Sequence, residues 1–470
     1  MSATTEELSV RLTAHPLQRV GAFALAVLAH RGTVRLRQVV HPHELTDADL
    51  RSANARMTVD LEATCKLADA KEPNGFWLKS SRLFWPNSPL NTTNRAKLTR
   101  AQRGELLHTW RDLPEPEPQV PAQCMLCDRN ACGFYGKRDV PLLERAGNYN
   151  NTPAAHPGMA LCRACLLSFY AMPYGCARSG PYAVAAHTWN DDLLLAMTKF
   201  QVDLTNQLAL AGAPSEARRS RELTALQQLR KHGRQVHDGM QLLIFTNDNR
   251  GQELYTHEME QPVTEWARSQ PRRRMRTLGH VHRRPKKPGR EALARTLFED
   301  PDRLVSTATH YLRDRVIKQR PWWDQATELA EICFSYAQKV LKVTTTDLDA
   351  IDRLAYRIAH KLNTDSSQQL RSFDAAWRKP GTLAHWLRRA ALDHTLRGAG
   401  AAQAEEPFIT EQQWLLLFDD GEQVFRHRDL LLVGVLRHLH EANPTWLGRD
   451  QGEPDGAEET GPDDDMDAEN

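Results

Sequence analysis

Six of the eight cysteines fall between residues 124 and 176 of the 470-residue chain. Four of them form two C-x-x-C pairs, Cys124-Met125-Leu126-Cys127 and Cys162-Arg163-Ala164-Cys165, with residues 128–161 between them. Two thiolates three positions apart on a tight turn can reach one ion. Two such turns complete a tetrahedral S4 set, which suits Zn2+ because that ion accepts thiolates without redox chemistry. Such a set is closed and therefore structural. The other readings are a redox pair or buried free thiols. Cys132, Cys176 and His156 are reserve ligands or, more simply, core residues. Arg129, Lys137, Arg138 and Arg163 stand near in sequence to offset the net charge of an S4–zinc group.

A second chemistry-bearing stretch is RSQPRRRMRTLGHVHRRPKKPGR, residues 268–290. Its bases include Arg272, Arg273, Arg274, Arg276, Arg283, Arg284, Lys286 and Lys287, and it holds no acid. Pro271, Pro285, Pro288, Gly279 and Gly289 argue for an extended basic loop. Such a loop can follow a phosphate backbone, where each contact releases counterions; otherwise it is a solvated linker. Asn-rich loops are candidate readers of base edges, because amide side chains pair with them. They are Asn148, Asn150 and Asn151 in the cysteine region, Asn87, Asn91 and Asn94 before it, and Asn247 and Asn249 after a strand. Asn also favours turns with no nucleic acid involved.

Enzyme signatures are absent from the sequence. There is no Walker A segment and no G-x-S-x-G elbow, and His237-Asp238 lacks the further ligands that a metal-dependent HD site requires. His280-x-His282 and His438-x-His440 show no carboxylate partner and read as packing or solvent-facing residues. An HNH-type nuclease also uses two C-x-x-C knuckles, and His156-Pro157 lies between them. That His is only six positions before Cys162, Ala155 stands where an acid is usual, and Leu166 follows the second knuckle. A zinc-ribbon DNA-binding adaptor or transcription factor is another class the cysteines allow. The expectation is a protein that is not an enzyme.

The elements that must position these residues follow from composition and patterning. With 41% hydrophobic, 26% charged and 7% aromatic residues, the chain reads as globular, neither collagenous nor disulfide-dense. Its length suggests two to four folding units. The apolar run Gly21–Ala29 is about half of what a membrane span needs. It lacks the flanks of a secretory signal, so the expected setting is soluble and cytoplasmic, with no membrane partner. After Arg449 the tail holds ten acids and no Lys or Arg, so 61 bases face 49 acids over residues 1–449. That is a basic body of net charge +12 with a solvated acidic tail.

The fold class expected is α+β, in six stretches. Residues 1–120 read as a mixed N-terminal region, with a helix near Leu17–Ala29, a strand over Thr33–Val40, an aromatic and Asn-rich loop at 76–94 and a proline-rich connector at 113–121. Residues 121–180 are the zinc-ribbon module. Residues 181–267 mix helices with a hairpin that begins at Met240–Thr246. Residues 268–290 are the basic loop, 291–449 an antiparallel bundle of five or six helices, and 450–470 a disordered acidic tail. Apolar stripes such as Leu348, Ile351, Ala355, Ile358 and Leu362, or Leu432, Val435, Leu436 and Leu439, mark the bundle core.

Several segments together resemble the large subunit of type I CRISPR Cascade complexes, in particular the group with a CXXC–CXXC region found in subtypes I-A and I-B. His15-Pro16-Leu17, Val20-Gly21-Ala22 and Ala24-Leu25 resemble its N-terminal start, and Leu83–Ser88 its Phe-Pro-Asn-Ser loop. The two knuckles and the exit Ala171-Met172-Pro173-Tyr174-Gly175 are its most specific part. Ile244-Phe245-Thr246-Asn247 is similar to a later strand. Trp85 interrupts the Phe-Pro step, and the acidic tail departs from the pattern. The resemblance implies a non-catalytic subunit at the foot of an RNA-guided complex, near the 5′ handle of the guide RNA (crRNA). It would read the protospacer-adjacent motif in duplex DNA, hold the displaced single strand and stabilise the R-loop, while base pairing supplies long specificity. Its partners would be the Cascade backbone and small subunits and a helicase–nuclease or a transposition adaptor. Met275, just ahead of the bundle, is a possible internal start for a small subunit.

Overall fold

A computed structural model describes residues 9–30, 41–67, 75–91, 95–115, 120–143, 158–210, 220–248, 251–285, 287–317, 326–362, 367–398, 406–419 and 424–442. The architecture is α+β and divides into two compact units. One runs to Ser269 and includes Leu297–Glu299; the other comprises Gln270–Thr296 and the chain from Asp300 onward. The expected strand at Thr33–Val40 and the acidic tail lie outside the described residues. Among the described residues no helix is long and apolar enough to cross a membrane.

The first unit is built around α1 (Pro16–His30). Every residue from Leu17 to His30 is buried, the pattern of a helix enclosed on all sides. It packs on α2 (Asp47–Cys65), α5 (Arg163–Ala171) with the 3-10 turn Met172–Gly175 that follows, and α6 (Asp191–Leu210). Gly21 permits the closest approach: a Cβ there would stand 2.0 Å from the Ser168 carbonyl oxygen of α5. Capping boxes start α2 (Thr46 with Asp49) and α4 (Arg100–Arg111; Thr99 with Gln102), each satisfying two amide groups that a helix start leaves open.

The aromatic stretch expected as a loop is instead largely helix, α3 (Phe76–Phe84), followed by short 3-10 turns. Burial of Trp77, Leu78, Ser81 and Phe84 on one side stabilises it. Asn91 pins the turn beyond it, donating from Nδ2 to the Trp85 carbonyl (2.9 Å) and accepting from Ser81 Oγ (3.2 Å).

Two antiparallel sheets complete this unit. One is the pair β1 (Gly133–Tyr135) and β2 (Met159–Leu161). The other has the order β3 (Cys176–Ser179), β4 (Tyr182–Thr188), β5 (Met240–Asp248) and β6 (Gly251–Met259). The expected hairpin is present, with Asp248 opposite Gly251. Helices α7 (Arg221–Lys231) and α8 (Gln261–Ser269) finish the unit. The stretches 1–120, 121–180 and 181–267, which patterning separates, are therefore one body. The reason is that α5, which carries the second cysteine pair, packs directly on α1.

The second unit is helical. It holds α9 (Arg272–Val281), α10 (Gly289–Glu299, except its last three residues), α11 (Arg303–Ile317), α12 (Ala326–Lys339), α13 (Thr345–Leu362), α14 (Ser367–Trp377), α15 (Pro380–Gly398), α16 (Glu411–Phe418) and α17 (Val424–Ala442). Patterning predicts five or six helices; polar breaks, such as Lys342 with its positive φ of 59° after α12, divide the segment more finely. The predicted stripes are core: Leu348, Ile351, Ala355, Ile358, Leu362, Leu432, Val435, Leu436 and Leu439 are all buried. Helix α17 packs against α11, α12, α13 and α16.

The basic stretch is not an extended loop. Residues 272–281 form α9, and a short bridge between Arg284 and Lys287 leads into α10. Pro271 lies ahead of the first turn, where its missing N–H costs nothing, and Pro285 and Pro288 follow the helix end. Gly289 touches Gly279, where a Cβ would stand 1.8 Å from the carbonyl oxygen.

Gly21→Ala is expected to destabilise the first unit by at least about 1–3 kcal/mol through overpacking against backbone. Gly104→Ala, with nothing within 4 Å of the added Cβ, is expected to stabilise α4 by about 0.5–1 kcal/mol; chemical denaturation of both variants checks the pair. In the second unit, burial raises the Asp429 carboxyl to about 6 against the opposing pull of Arg428. A carboxyl whose folded value lies above its unfolded one binds its proton more tightly when folded, so stability falls as pH rises from about 4 to 6. Asp429→Asn should flatten thermal stability across that window and add roughly 1–3 kcal/mol at pH 7.

Candidate metal centre and basic helix

Residues 123–132 make the first knuckle. Gln123 pairs with Asn130, Cys124 N–H donates to the Arg129 carbonyl (2.6 Å), and Asp128 N–H donates to the Cys124 carbonyl (2.9 Å). The turn needs a left-handed residue, supplied by Asp128 at φ 62°, a conformation Asp tolerates better than most. Met125 N–H reaches the Ala160 carbonyl (3.0 Å) and Cys132 N–H the Leu161 carbonyl (2.9 Å). These bonds dock the knuckle on β2. The second pair belongs to a helix start: Cys162 is the N-cap of α5 and Cys165 lies in its first turn.

The register of β1 on β2, Gly133 opposite Leu161, brings these ends together. The four sulfurs of Cys124, Cys127, Cys162 and Cys165 all lie within 4.8 Å of one another, and Cys127 Sγ is 3.5 Å from Cys162 Sγ. Tetrahedral thiolates bound at about 2.3 Å would sit about 3.8 Å apart, so the donor set fits a four-coordinate ion. The thiols are strongly interdependent. Contacts with Cys127, Cys162 and Cys165 hold Cys124 far below the usual thiol range, whereas contact with Cys124 pushes Cys162 and Cys165 well above it. Four sulfurs this close cannot all ionise without a cation among them. The N-terminus of α5 favours negative charge at Cys162 and Cys165.

The reserve ligands do not join the set. Cys132 is buried, with Sγ 3.3 Å from the Leu161 carbonyl and 3.4 Å from the Tyr135 hydroxyl. Cys176 is buried on β3, and His156 lies outside the described residues. Nor do the neighbouring bases simply offset the sulfurs: Arg163 is buried and paired with Asp47, and Arg129 donates to the Ser9 carbonyl.

Of the expected nucleic-acid contacts, Arg272, Arg273 and Arg276 are exposed on α9 and Arg283, Arg284 and Lys287 just after it. Met275, Thr277, Leu278 and Val281 face inward. Two of the arginines also hold the helix in place. Arg274 lies 2.9 Å from Glu331 and Arg273 3.3 Å from Glu328 of α12, and Thr277 donates to Glu328 (2.9 Å). Lys286 lies outside the described residues.

The Asn candidates separate sharply. Asn247 is fully buried, accepting from Leu142 N–H (3.2 Å) and Gln252 Nε2 (2.9 Å) and donating to the Phe84 carbonyl (3.4 Å). It is a structural clamp with no amide edge to offer a base, which corrects its place among the readers. Asn91 is likewise engaged in its turn. Asn94, Asn148, Asn150, Asn151 and Asn249 lie outside the described residues.

Sequence reasoning missed three clusters. His438 does have carboxylate partners: Nε2 is 3.0 Å from Asp352 and Nδ1 3.4 Å from Glu441. Only Glu441 is close enough in sequence to have signalled this. The guanidinium of Arg111 is buried among the rings of Tyr170, Trp110 and Trp85 at 3.8, 4.0 and 4.6 Å, and burial pulls it down to about 10. Asp139 completes that cage, accepting from Trp110 Nε1 (2.8 Å) and the Tyr170 hydroxyl (3.0 Å). Glu222, His257 and Glu299 also meet. These residues share no spacing motif that could have flagged them.

Removing any bound ion with a chelator is expected to free the amides of residues 124–135 and 159–170 to hydrogen exchange while α11–α17 stay protected. Cys165→Ala should reproduce the effect without chelator, and unchanged protection in both experiments would remove the ion from the fold. No protein-family model and no curated protein matches the chain.

Proposed function

We propose that the chain is the non-catalytic large subunit of a type I CRISPR Cascade complex, a scaffold that grips nucleic acid while other subunits break bonds. The observation that carries the nucleic-acid part is the exposed cationic run Arg276, Arg283, Arg284 and Lys287, in a stretch with no acid from Gln270 to Arg290. A helix end followed by a short bridge exposes these four charges within twelve residues of sequence, suited to phosphates. The Cascade assignment rests on the resemblance of the knuckles, of the Met172–Gly175 exit and of the segment starting at His15. Three of these pack together: α1, which begins beside His15, lies on α5 and on the Met172–Gly175 turn. The ion of the S4 set is Zn2+, one per chain, and closed to substrate.

In this reading the first unit offers the platform near the crRNA 5′ handle and the protospacer-adjacent motif in duplex DNA. The helical unit holds the displaced single strand. The Cascade backbone and small subunits and a helicase–nuclease or transposition adaptor are the protein partners. The competing HNH nuclease requires a His on its metal-bound hairpin; Gly133–Tyr135, Met159–Leu161 and the first turn of α5 carry none. A zinc-ribbon adaptor shares the S4 set and the basic row but has no use for guide RNA.

Co-expression with Cascade backbone subunits and a guide separates these readings. The chain should elute with the guide RNA and carry about one zinc by elemental analysis. Elution without RNA while the backbone retains its guide would favour the adaptor. Replacing Arg276, Arg283, Arg284 and Lys287 by Gln together should weaken DNA binding equally across sequences. It should also lower the salt slope by as much as about 0.9 for each phosphate no longer neutralised. An unchanged slope returns the row to a solvated surface.

A further inference from the structure

The first unit contains a part-open cavity of about 400 Å³, lined by α3, α6, α7, the Met172–Gly175 turn and strands β3 to β5. One side is a stripe of large apolar residues on α6, Phe200, Leu204 and Leu208, spaced four apart and each only half-buried. Such a stripe normally packs against a neighbouring element; among the described residues it borders the cavity. Apolar side chains along a part-open cavity forgo the dispersion contacts that a filled core would make, and the volume lies in the range of small-molecule sites.

The charged part of the lining has one sign, beside neutral Ser, Thr and Gln side chains. Lys79 of α3, Arg178 of β3 and Arg221 of α7 all border the cavity, and no Asp or Glu does among the described residues. The Arg178 guanidinium lies 6.0 Å from the centre of the Phe76 ring, and Arg221 Nε is held by Glu222 at 2.8 Å. Cations, neutral Ser, Thr and Gln side chains and the apolar α6 stripe lining one cavity favour a molecule with an anionic head and a hydrocarbon body. The head gains charge-assisted hydrogen bonds from ammonium or guanidinium groups, and the body covers the α6 stripe.

We propose that this cavity is a binding site for a medium-chain acyl-type anion, a carboxylate or phosphate head on an unbranched aliphatic chain. The site is independent of the nucleic-acid row and of the sulfur cluster. Titration calorimetry of the full-length protein tests it with dodecanoate and dodecyl phosphate, each below its critical micelle concentration, and with dodecanol below its solubility limit. One dodecanoate or one dodecyl phosphate should bind per chain, whereas dodecanol should bind at least tenfold more weakly. The stronger of the two anions identifies the head. In the double variant Lys79→Gln/Arg178→Gln, verified as folded by its thermal melt, both anions should lose at least tenfold in affinity and dodecanol should be unchanged. Dodecanol binding as tightly as dodecanoate, no loss in the double variant, or no saturable binding overturns the proposal. So does displacement of the anion by adenosine monophosphate, which would make the chamber a nucleotide site.

Discussion

Four sulfur atoms held within 4.8 Å of one another set the terms for the first unit. Two come from a knuckle with no regular structure of its own, and two from the first turn of α5. Backbone hydrogen bonds dock the knuckle on β2 and burial holds α5, yet two problems remain: the sulfurs repel one another, and the knuckle leaves Met125 exposed. A shared cation would resolve both problems at once: it neutralises sulfurs that otherwise repel and ties an irregular turn to a buried helix. The opposite consequence is that such a set has no spare coordination position, so its chemistry is structural.

The order imposed at the sulfurs spreads through α5. This helix is buried along its whole length, from Arg163 to Ala171, and meets α1 so closely that Gly21 is needed at the crossing. Its Tyr170 is one wall of the aromatic box around Arg111. A guanidinium taken from water is costly, and three rings with the nearby Asp139 are what the fold provides in return. Knuckle, helix, box and α1 thus form one connected body.

The two units divide the chemistry. The sulfur cluster and the cation-lined cavity belong to the mixed unit, and the exposed basic row belongs to the helical one. On α9 the arginines have different duties despite identical side chains. Arg273 and Arg274 meet the carboxylates of α12 and help hold the helix to its unit, whereas Arg276 lies on the exposed side. Counting bases in the segment overstates what a polyanion would meet. Which of them it meets depends on the acids that α12 places beside them.

Sequence alone determined the sulfur cluster, the apolar helix α1, the β5–β6 hairpin and the stripes of the helical unit. Each of these is written in local spacing: two residues between paired thiols, period two in strands, three to four in helices. The helical state of residues 272–281 and of 76–84 was not legible. Pro and Gly at the ends of the first looked like interruptions, and the second is stabilised by burial against distant elements. Asn247 read as a candidate base reader because its clamp partners Leu142 and Phe84 lie more than a hundred residues away. Separations of tens of residues likewise hid the Asp352–His438 pair and most of the Arg111 box, and the cavity is lined from Phe76 to Leu242. Local patterns name the residues able to do chemistry. Long-range packing decides which of them meet, which are exposed, and where space is left open.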